Sequence, residues 1–131
     1  MLAKITVADY MTQKVVTLTK ETHVMEAIKK LLENKVTCAP VVDGQGRLVG
    51  LFSEKDSIKV FLESVYNQGM GGTVGDHMTT GTISVNVDSS IVELAEKFDH
   101  SSVRSFPVFD GNKFVGIISR TDVLKALIAL K

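Results

Sequence analysis

The sequence predicts a mixed α/β (α+β) fold: two tandem β-α-β-β-α repeats that form one pseudo-twofold unit. Three observations predict it. The chain repeats itself, Thr6-Val7-Ala8-Asp9-Tyr10-Met11-Thr12 returning as Thr73-Val74-Gly75-Asp76-His77-Met78-Thr79. Within each copy, short β-branched runs alternate with stretches of helical apolar spacing. Each copy also carries an Asp-Gly turn between two apolar runs, Asp43-Gly44 and Asp110-Gly111, the pattern of a β-hairpin.

The elements follow in order. Val15-Val16-Thr17-Leu18 and Ile83-Ser84-Val85 read as first strands. Val24, Ala27, Ile28, Leu31 and Leu32 place one apolar face on a helix, as do Ile91, Leu94, Ala95 and Phe98 in the second copy. Pro40-Val41-Val42 and Pro107-Val108-Phe109 follow, and the prolines place the start or edge of a strand there. Past the turns, Val49-Gly50-Leu51-Phe52 and Val115-Gly116-Ile117-Ile118 complete the hairpins. The last helices are expected from about Ser53 to Tyr66 and from Ser119 to Leu130. Ile58, Phe61, Leu62 and Val65 form an apolar stripe on the first of these, read mainly as core and alternatively as a dimer face. Val123, Leu124, Leu127 and Ile128 share a face of the second. The repeats are thus expected at 6–66 and 73–130, joined by a Gly-rich linker at 67–72. A single copy of about 60 residues is marginal alone, so the two are expected to share a core.

The 131 residues carry 15 basic and 15 acidic side chains, a formal net charge of zero. A chain without a cationic surface is not built as a nucleic-acid binder. No run approaches the roughly 18–20 apolar residues that cross a bilayer. The single cysteine, Cys38, fits a reducing compartment, and the expected location is cytoplasmic. His23, His77 and His100 lack metal-ligand spacing. Nothing forms a nucleophile–base–orienter set, so no enzymatic activity is expected and no cofactor is required. Gly69-Met70-Gly71-Gly72 lacks the following Lys-Ser/Thr of a phosphate loop. Cys38, Met11 and Met78 read as apolar packing positions.

Gly50-Leu51-Phe52-Ser53-Glu54-Lys55-Asp56 and Gly116-Ile117-Ile118-Ser119-Arg120-Thr121-Asp122 carry the most chemistry. One reading is a helix capping box in each copy: Ser accepts from a backbone N–H, and Asp three residues on reaches back. The other is a ligand seat. A helix start offers free N–H groups and partial positive charge to a phosphate. A hydroxyl beside it can donate to the phosphate, the carboxylate can accept from ribose hydroxyls, and Gly three residues before the Ser leaves room for close approach. An apolar slot nearby would take a purine. The occurrence of the whole pattern twice favours the second reading.

The chain resembles a pair of CBS (cystathionine-β-synthase-type) domains, a Bateman module, over nearly all of residues 6–130. The resemblance rests on Val-x-Asp-x-Met-Thr opening each copy, on Pro-Val-x-Asp-Gly, and on Gly, two apolar residues and Ser-x-x-Asp. It implies a CBS-pair unit that binds AMP, ADP, ATP or S-adenosylmethionine in grooves between the repeats, regulates an attached domain or a partner and assembles as a dimer; here a stand-alone module, a homodimer and a separate, unidentified regulated protein are expected. It further implies that Asp56 and Asp122 hold ribose hydroxyls and that Ser53 and Ser119 contact phosphate. The base pocket would be lined by Val16, Thr17, Ile83 and Ser84 and by Ala39-Pro40 and Phe106-Pro107. Family members often carry a cation just before that proline. Here the first copy has Thr37-Cys38 and the second Arg104-Ser105, so the two sites are expected to differ in their tolerance of phosphate charge. Arg120 and Lys55 could add to it. The competing expectation is a structural or oligomerisation module with vestigial grooves.

Overall fold

The computed structural model describes residues 4–67 and 71–129. The elements run α1 (Val7–Tyr10), α2 (Val24–Glu33), β1 (Cys38–Val42), β2 (Leu48–Ser53), α3 (Glu54–Asn67), α4 (Val74–His77), β3 (Val85–Asn86), α5 (Ile91–Asp99), β4 (Ser105–Asp110), β5 (Lys113–Ser119) and α6 (Arg120–Ala129). They form two compact units. One is the continuous segment Val16–Thr82; the other combines Met1–Val15 with Ile83–Lys131. The units therefore do not follow the repeats. The opening segment of each repeat is built into the unit that holds the body of the other. Within the expected linker, Gln68, Gly69 and Met70 lie outside the described residues, as does Leu130.

In the continuous unit, β1 and β2 form an antiparallel hairpin with Cys38 opposite Ser53 and Pro40 opposite Leu51. Its turn is organised by Asp43, whose Oδ1 accepts from the N–H groups of Gln45 and Arg47, both at 2.9 Å. These bonds hold the half-buried Asp43 carboxyl below its ordinary pKa. α2 buries Val24, Ala27 and Leu31, which join Leu18, Ala39, Val41, Phe52 and Val74 in one apolar cluster. Its N-cap is His23, whose Nδ1 accepts from Met25 N–H at 3.1 Å. The expected first strand at 15–18 is not a ladder. Only Leu18 bridges Val41, through Leu18 N–H to the Pro40 carbonyl at 2.9 Å and Val42 N–H to the Leu18 carbonyl at 2.8 Å.

The discontinuous unit has a three-stranded sheet in the order β3-β4-β5. β3 pairs parallel to β4, Val85 opposite Val108. It lies at Val85–Asn86 rather than 83–85, and Ile83 is 67% exposed. Pro107 sits just before this parallel pairing begins, where its missing N–H breaks no ladder bond. β4 and β5 form the second hairpin, closed by a loop of Gly111 and Asn112 between the paired Asp110 and Lys113. Gly111 has φ 62, a value that glycine adopts without Cβ strain. The core comprises Val7, Val85, Ile91, Leu94, Phe98, Phe106, Val108, Ile118 and Ala126; the Phe98 and Phe106 rings lie 4.7 Å apart.

Two further features were not read from the sequence. The Val-x-Asp-x-Met-Thr openings form single-turn helices, α1 and α4. Thr6 N–H donates to Asp9 Oδ2 at 2.9 Å and Thr73 N–H to Asp76 Oδ2 at 3.0 Å. Val7 and Val74, each fully buried, plug the core of their respective units. The apolar stripes of α3 and α6 also face outward. Ile58, Phe61, Leu62 and Val65, and Leu124, Leu127 and Ile128, are all exposed, whereas Asp56, Val60, Asp122 and Ala126 are buried. The interior side of each helix is thus a short i, i+4 pair beginning with the aspartate. The larger apolar residues are left for the outer faces.

Candidate functional site

Each unit contains one Ser–Asp seat where a hairpin strand runs into a helix. In the continuous unit, β2 ends at Ser53 and α3 begins at Glu54. Asp56 is 4% exposed. Its Oδ2 accepts from Ser53 N–H at 2.9 Å and from the Ser53 hydroxyl at 3.0 Å, while Asp56 N–H donates to Ser53 Oγ at 3.2 Å. The other unit repeats this. Asp122, 8% exposed, accepts through Oδ2 from Ser119 N–H at 2.9 Å and from its hydroxyl at 3.1 Å, and Asp122 N–H returns to Ser119 Oγ at 3.3 Å. The capping box is therefore formed in both copies. Its chemistry bounds the seat. A seryl hydroxyl has one proton, and here it points to the aspartate, so a phosphate can take it only by displacing that bond. Oδ2 receives two donors in each seat, which leaves Oδ1 as the oxygen that can accept from a ligand.

The remaining helix-start donors are set by the backbone. Glu54 N–H donates to the Thr37 carbonyl at 2.9 Å, and Arg120 N–H to the Arg104 carbonyl at 3.1 Å. Thr37 and Arg104 thus hold corresponding places beside the two seats, as their sequence positions implied. The N–H groups of Lys55 and Thr121 are not taken by these contacts. Arg104 is exposed and makes no ion pair among the described residues. Arg120 does not extend toward a ligand: its Nε donates to the Val103 carbonyl at 3.0 Å and its Nη2 to the Ser101 carbonyl at 3.1 Å. It fastens the loop that carries Arg104.

The other expected site residues divide by exposure. Ala39, Pro40, Phe106 and Pro107 are buried, so in this conformation their side chains form core beneath the seats. Val16 and Ser105 are half-buried, and Thr17, Ile83 and Ser84 are exposed. The motif glycines serve a different neighbour from the one expected. A Cβ on Gly50 would lie 2.7 Å from Met78 Sδ and 3.0 Å from the Thr79 carbonyl; one on Gly116 would clash with the Thr12 carbonyl oxygen. The close approach is by the chain's own Met-Thr segments, which pair with the strands through Thr79–Leu51 and Thr12–Ile117 bonds of 2.8–3.0 Å.

Those segments also bring one residue that the sequence reading passed over. The Thr79 hydroxyl donates to Asp56 Oδ1 at 3.1 Å. The signal was present in the repeated Met-Thr, but sequence alone does not show a residue 23 positions away closing on the carboxylate. Cys38 lies beside the same seat. Burial, reinforced by the negative charge of Asp56, pushes its thiol up to about 12, so it is protonated near neutral pH. No cluster of three or more His, Cys, Asp or Glu able to hold a metal occurs among the described residues, nor does a helix long and apolar enough to cross a membrane.

The sequence profile of the CBS domain matches residues 7–63 and again 74–129. Among curated proteins, uncharacterized protein MJ1225 of Methanocaldococcus jannaschii is 28% identical over 121 residues, covering 92% of this chain and 42% of that protein. The A-adding tRNA nucleotidyltransferase of Geobacter sulfurreducens is 32% identical over 121 residues, 92% of this chain and 13% of that protein. The chain thus spans less than half the length of these two relatives. Among solved structures, CBSX2 in complex with AMP matches with a TM-score of 0.85 at 29% identity, over 96% of this chain and 98% of that one; CBSX2 is a CBS-pair protein of Arabidopsis thaliana. The CBS domain pair of protein MJ0100, in complex with 5′-methylthioadenosine and S-adenosyl-L-methionine, matches with a TM-score of 0.82 at 26% identity, over 96% and 98%.

Proposed function

This chain belongs to the CBS-domain family, and from that premise we propose that it is a regulatory module that binds an adenosine-containing ligand and passes its occupancy to a partner protein. AMP, ADP, ATP and S-adenosylmethionine are the ligands of choice, since AMP and S-adenosylmethionine occupy the similar structures. The observation that carries the reading is Asp122. Its carboxylate is more than nine-tenths buried at a helix start, yet Oδ1 has no protein donor among the described residues. No side-chain oxygen among the described residues is both shut off from solvent and without a partner, so Oδ1 is an accessible acceptor on an otherwise buried carboxylate, which suits a ribose hydroxyl. Arg104 beside it supplies a cation for phosphate, and the unspent N–H of Thr121 adds a helix-start donor. Ser119 would join by rotating its hydroxyl away from Asp122. No bond is made or broken in this role. A ligand that prefers one arrangement of the module shifts its population, and a partner reads the shift.

A thermal-shift screen with AMP, ATP and S-adenosylmethionine tests the proposal. A ligand at 100 times its dissociation constant adds about 2.7 kcal/mol of stability. No shift with any of them would defeat it. One observation favours a second reading, a structural module: both Ser–Asp pairs already satisfy each other as caps. That reading expects Asp122→Ala to change stability while no adenosine compound binds.

The dimer belongs to the same proposal. α2 and α3 leave a groove of about 530 Å³ lined by Met25, Ile28, Leu32, Ile58 and Phe61 among others. The apolar row on α3 continues it through Leu62 and Val65. A second copy would cover this face, and a chain of zero net charge meets no bulk repulsion on pairing with itself. Sedimentation velocity on the parent and on Phe61→Glu decides it: dimer becoming monomer is expected, and a monomeric parent would refute the pairing. The reducing, cytoplasmic setting is likewise part of this reading, supported by Cys38 standing as a free thiol; the CBSX1 and CBSX2 relatives are named as chloroplastic.

A further inference from the structure

The two seats share one capping geometry but differ at the oxygen that matters. Asp56 Oδ1 accepts the Thr79 hydroxyl at 3.1 Å. Asp122 Oδ1 accepts from no protein group among the described residues, although Thr12 holds the position corresponding to Thr79 and makes the same backbone pair, with Ile117. An ionised carboxylate oxygen has about two acceptor sites. Because Oδ2 is filled by Ser N–H and Ser hydroxyl in both seats, the count at Oδ1 decides what a ribose finds. Asp122 offers two places, enough for both hydroxyls of a cis-diol. Asp56 offers one.

We infer that Thr79 is a specificity-determining residue that holds the Asp56 seat partly closed to ribose, so that the chain takes its first adenosine ligand at Asp122 and a second only weakly. This rests on the adenosine-binding reading and adds an order of filling and the residue that sets it. The charge difference between Arg104 and Thr37 at corresponding positions points the same way by an independent route. The Thr79 bond also couples the Asp56 seat to the Met-Thr segment: a ligand that takes Oδ1 in full must release that hydroxyl.

The test is titration calorimetry with AMP on the full chain and on three variants. The parent is expected to show one strong event per chain, abolished by Asp122→Ala. Thr79→Val keeps the β-branched shape and the backbone pair with Leu51 but removes the donor. It should tighten the weak event roughly tenfold, the worth of one hydrogen bond, and bring it into the measurable range as a second site. Thr79→Ser, which restores a hydroxyl, should return the parent profile. If AMP binds the parent but Thr79→Val leaves both stoichiometry and affinities unchanged, the role of Thr79 is overturned and the adenosine reading stands. If AMP, ATP and S-adenosylmethionine all fail to bind the parent, the adenosine reading falls and takes the role of Thr79 with it.

Discussion

Adding one methyl group at Gly116 tests whether the motif glycine serves the chain or a ligand. A Cβ there meets the Thr12 carbonyl oxygen, with the Thr12 carbonyl carbon at 3.3 Å and Gln13 Cα at 3.5 Å. These are backbone atoms, so no rotamer change relieves the clash. Relief requires residues 12–13 to withdraw from β5, which breaks the reciprocal Thr12–Ile117 pair of 2.8 and 3.0 Å. Two hydrogen bonds at about 1 kcal/mol each, with overpacking of about 1–3 kcal/mol, give a loss of about 3–5 kcal/mol for Gly116→Ala. At Gly50 the nearest atom is the movable Met78 Sδ, so Gly50→Ala should lose about half as much. Gly44, with nothing within 4 Å and no positive φ, provides the neutral control. Urea unfolding of the three ligand-free variants supplies the ranking. The reasoning fails if Gly116→Ala unfolds at the same urea concentration as Gly44→Ala, and fails in a particular direction if that variant keeps its stability but loses adenosine binding.

Three further outcomes follow from the seats. Arg104→Ala should weaken ATP binding roughly tenfold and AMP binding less, since a nearby cation acts in proportion to phosphate charge; equal losses for both would remove Arg104 from phosphate contact. Arg120→Met should free the carbonyls of Ser101 and Val103, speeding amide exchange across 101–104 and lowering the ATP-over-AMP preference without touching the ligand itself; unchanged exchange would deny it a positioning role. Cys38 has a folded pKa of about 12 against an ordinary 9.0. Its contribution is therefore intact below pH 9 and lost as pH rises toward 12, because the unfolded chain ionises first. Stability that falls less steeply over that window in Cys38→Ala than in the parent would bear this out, and identical slopes would contradict it.

What could be read from the sequence was whatever local chemistry repeats. The duplication, both hairpins, the faces of α2 and α5 and the Ser-x-x-Asp caps all rest on spacing within one short segment, and the structure contains each, except that Leu32 at the margin of the α2 face is 72% exposed. Contacts formed at long range were not legible. Val7 and Val74 look like ordinary apolar residues until the openings are seen to fold into a unit with the opposite repeat's body. The same exchange gives Gly50 and Gly116 their true neighbours. The α3 stripe misled for a related reason. Apolar periodicity marks a face that avoids water but does not say which of two apolar surfaces covers it, and Asp56 with Val60 already filled the inner side. At the seats, spacing placed Asp56 and Asp122 at the two helix starts, but only geometry revealed that Thr79 donates to Oδ1 of one and no protein group among the described residues to Oδ1 of the other.

The division of the chain has a consequence for how it is made. Residues 16–82 are complete as soon as they leave the ribosome and can close their own core at once. The discontinuous unit has its two segments separated by that entire block and closes through contacts of high sequence separation, the kind of closure that slows folding. Val7, whose core partners all come from residues 85–126, is buried only once that closure is made.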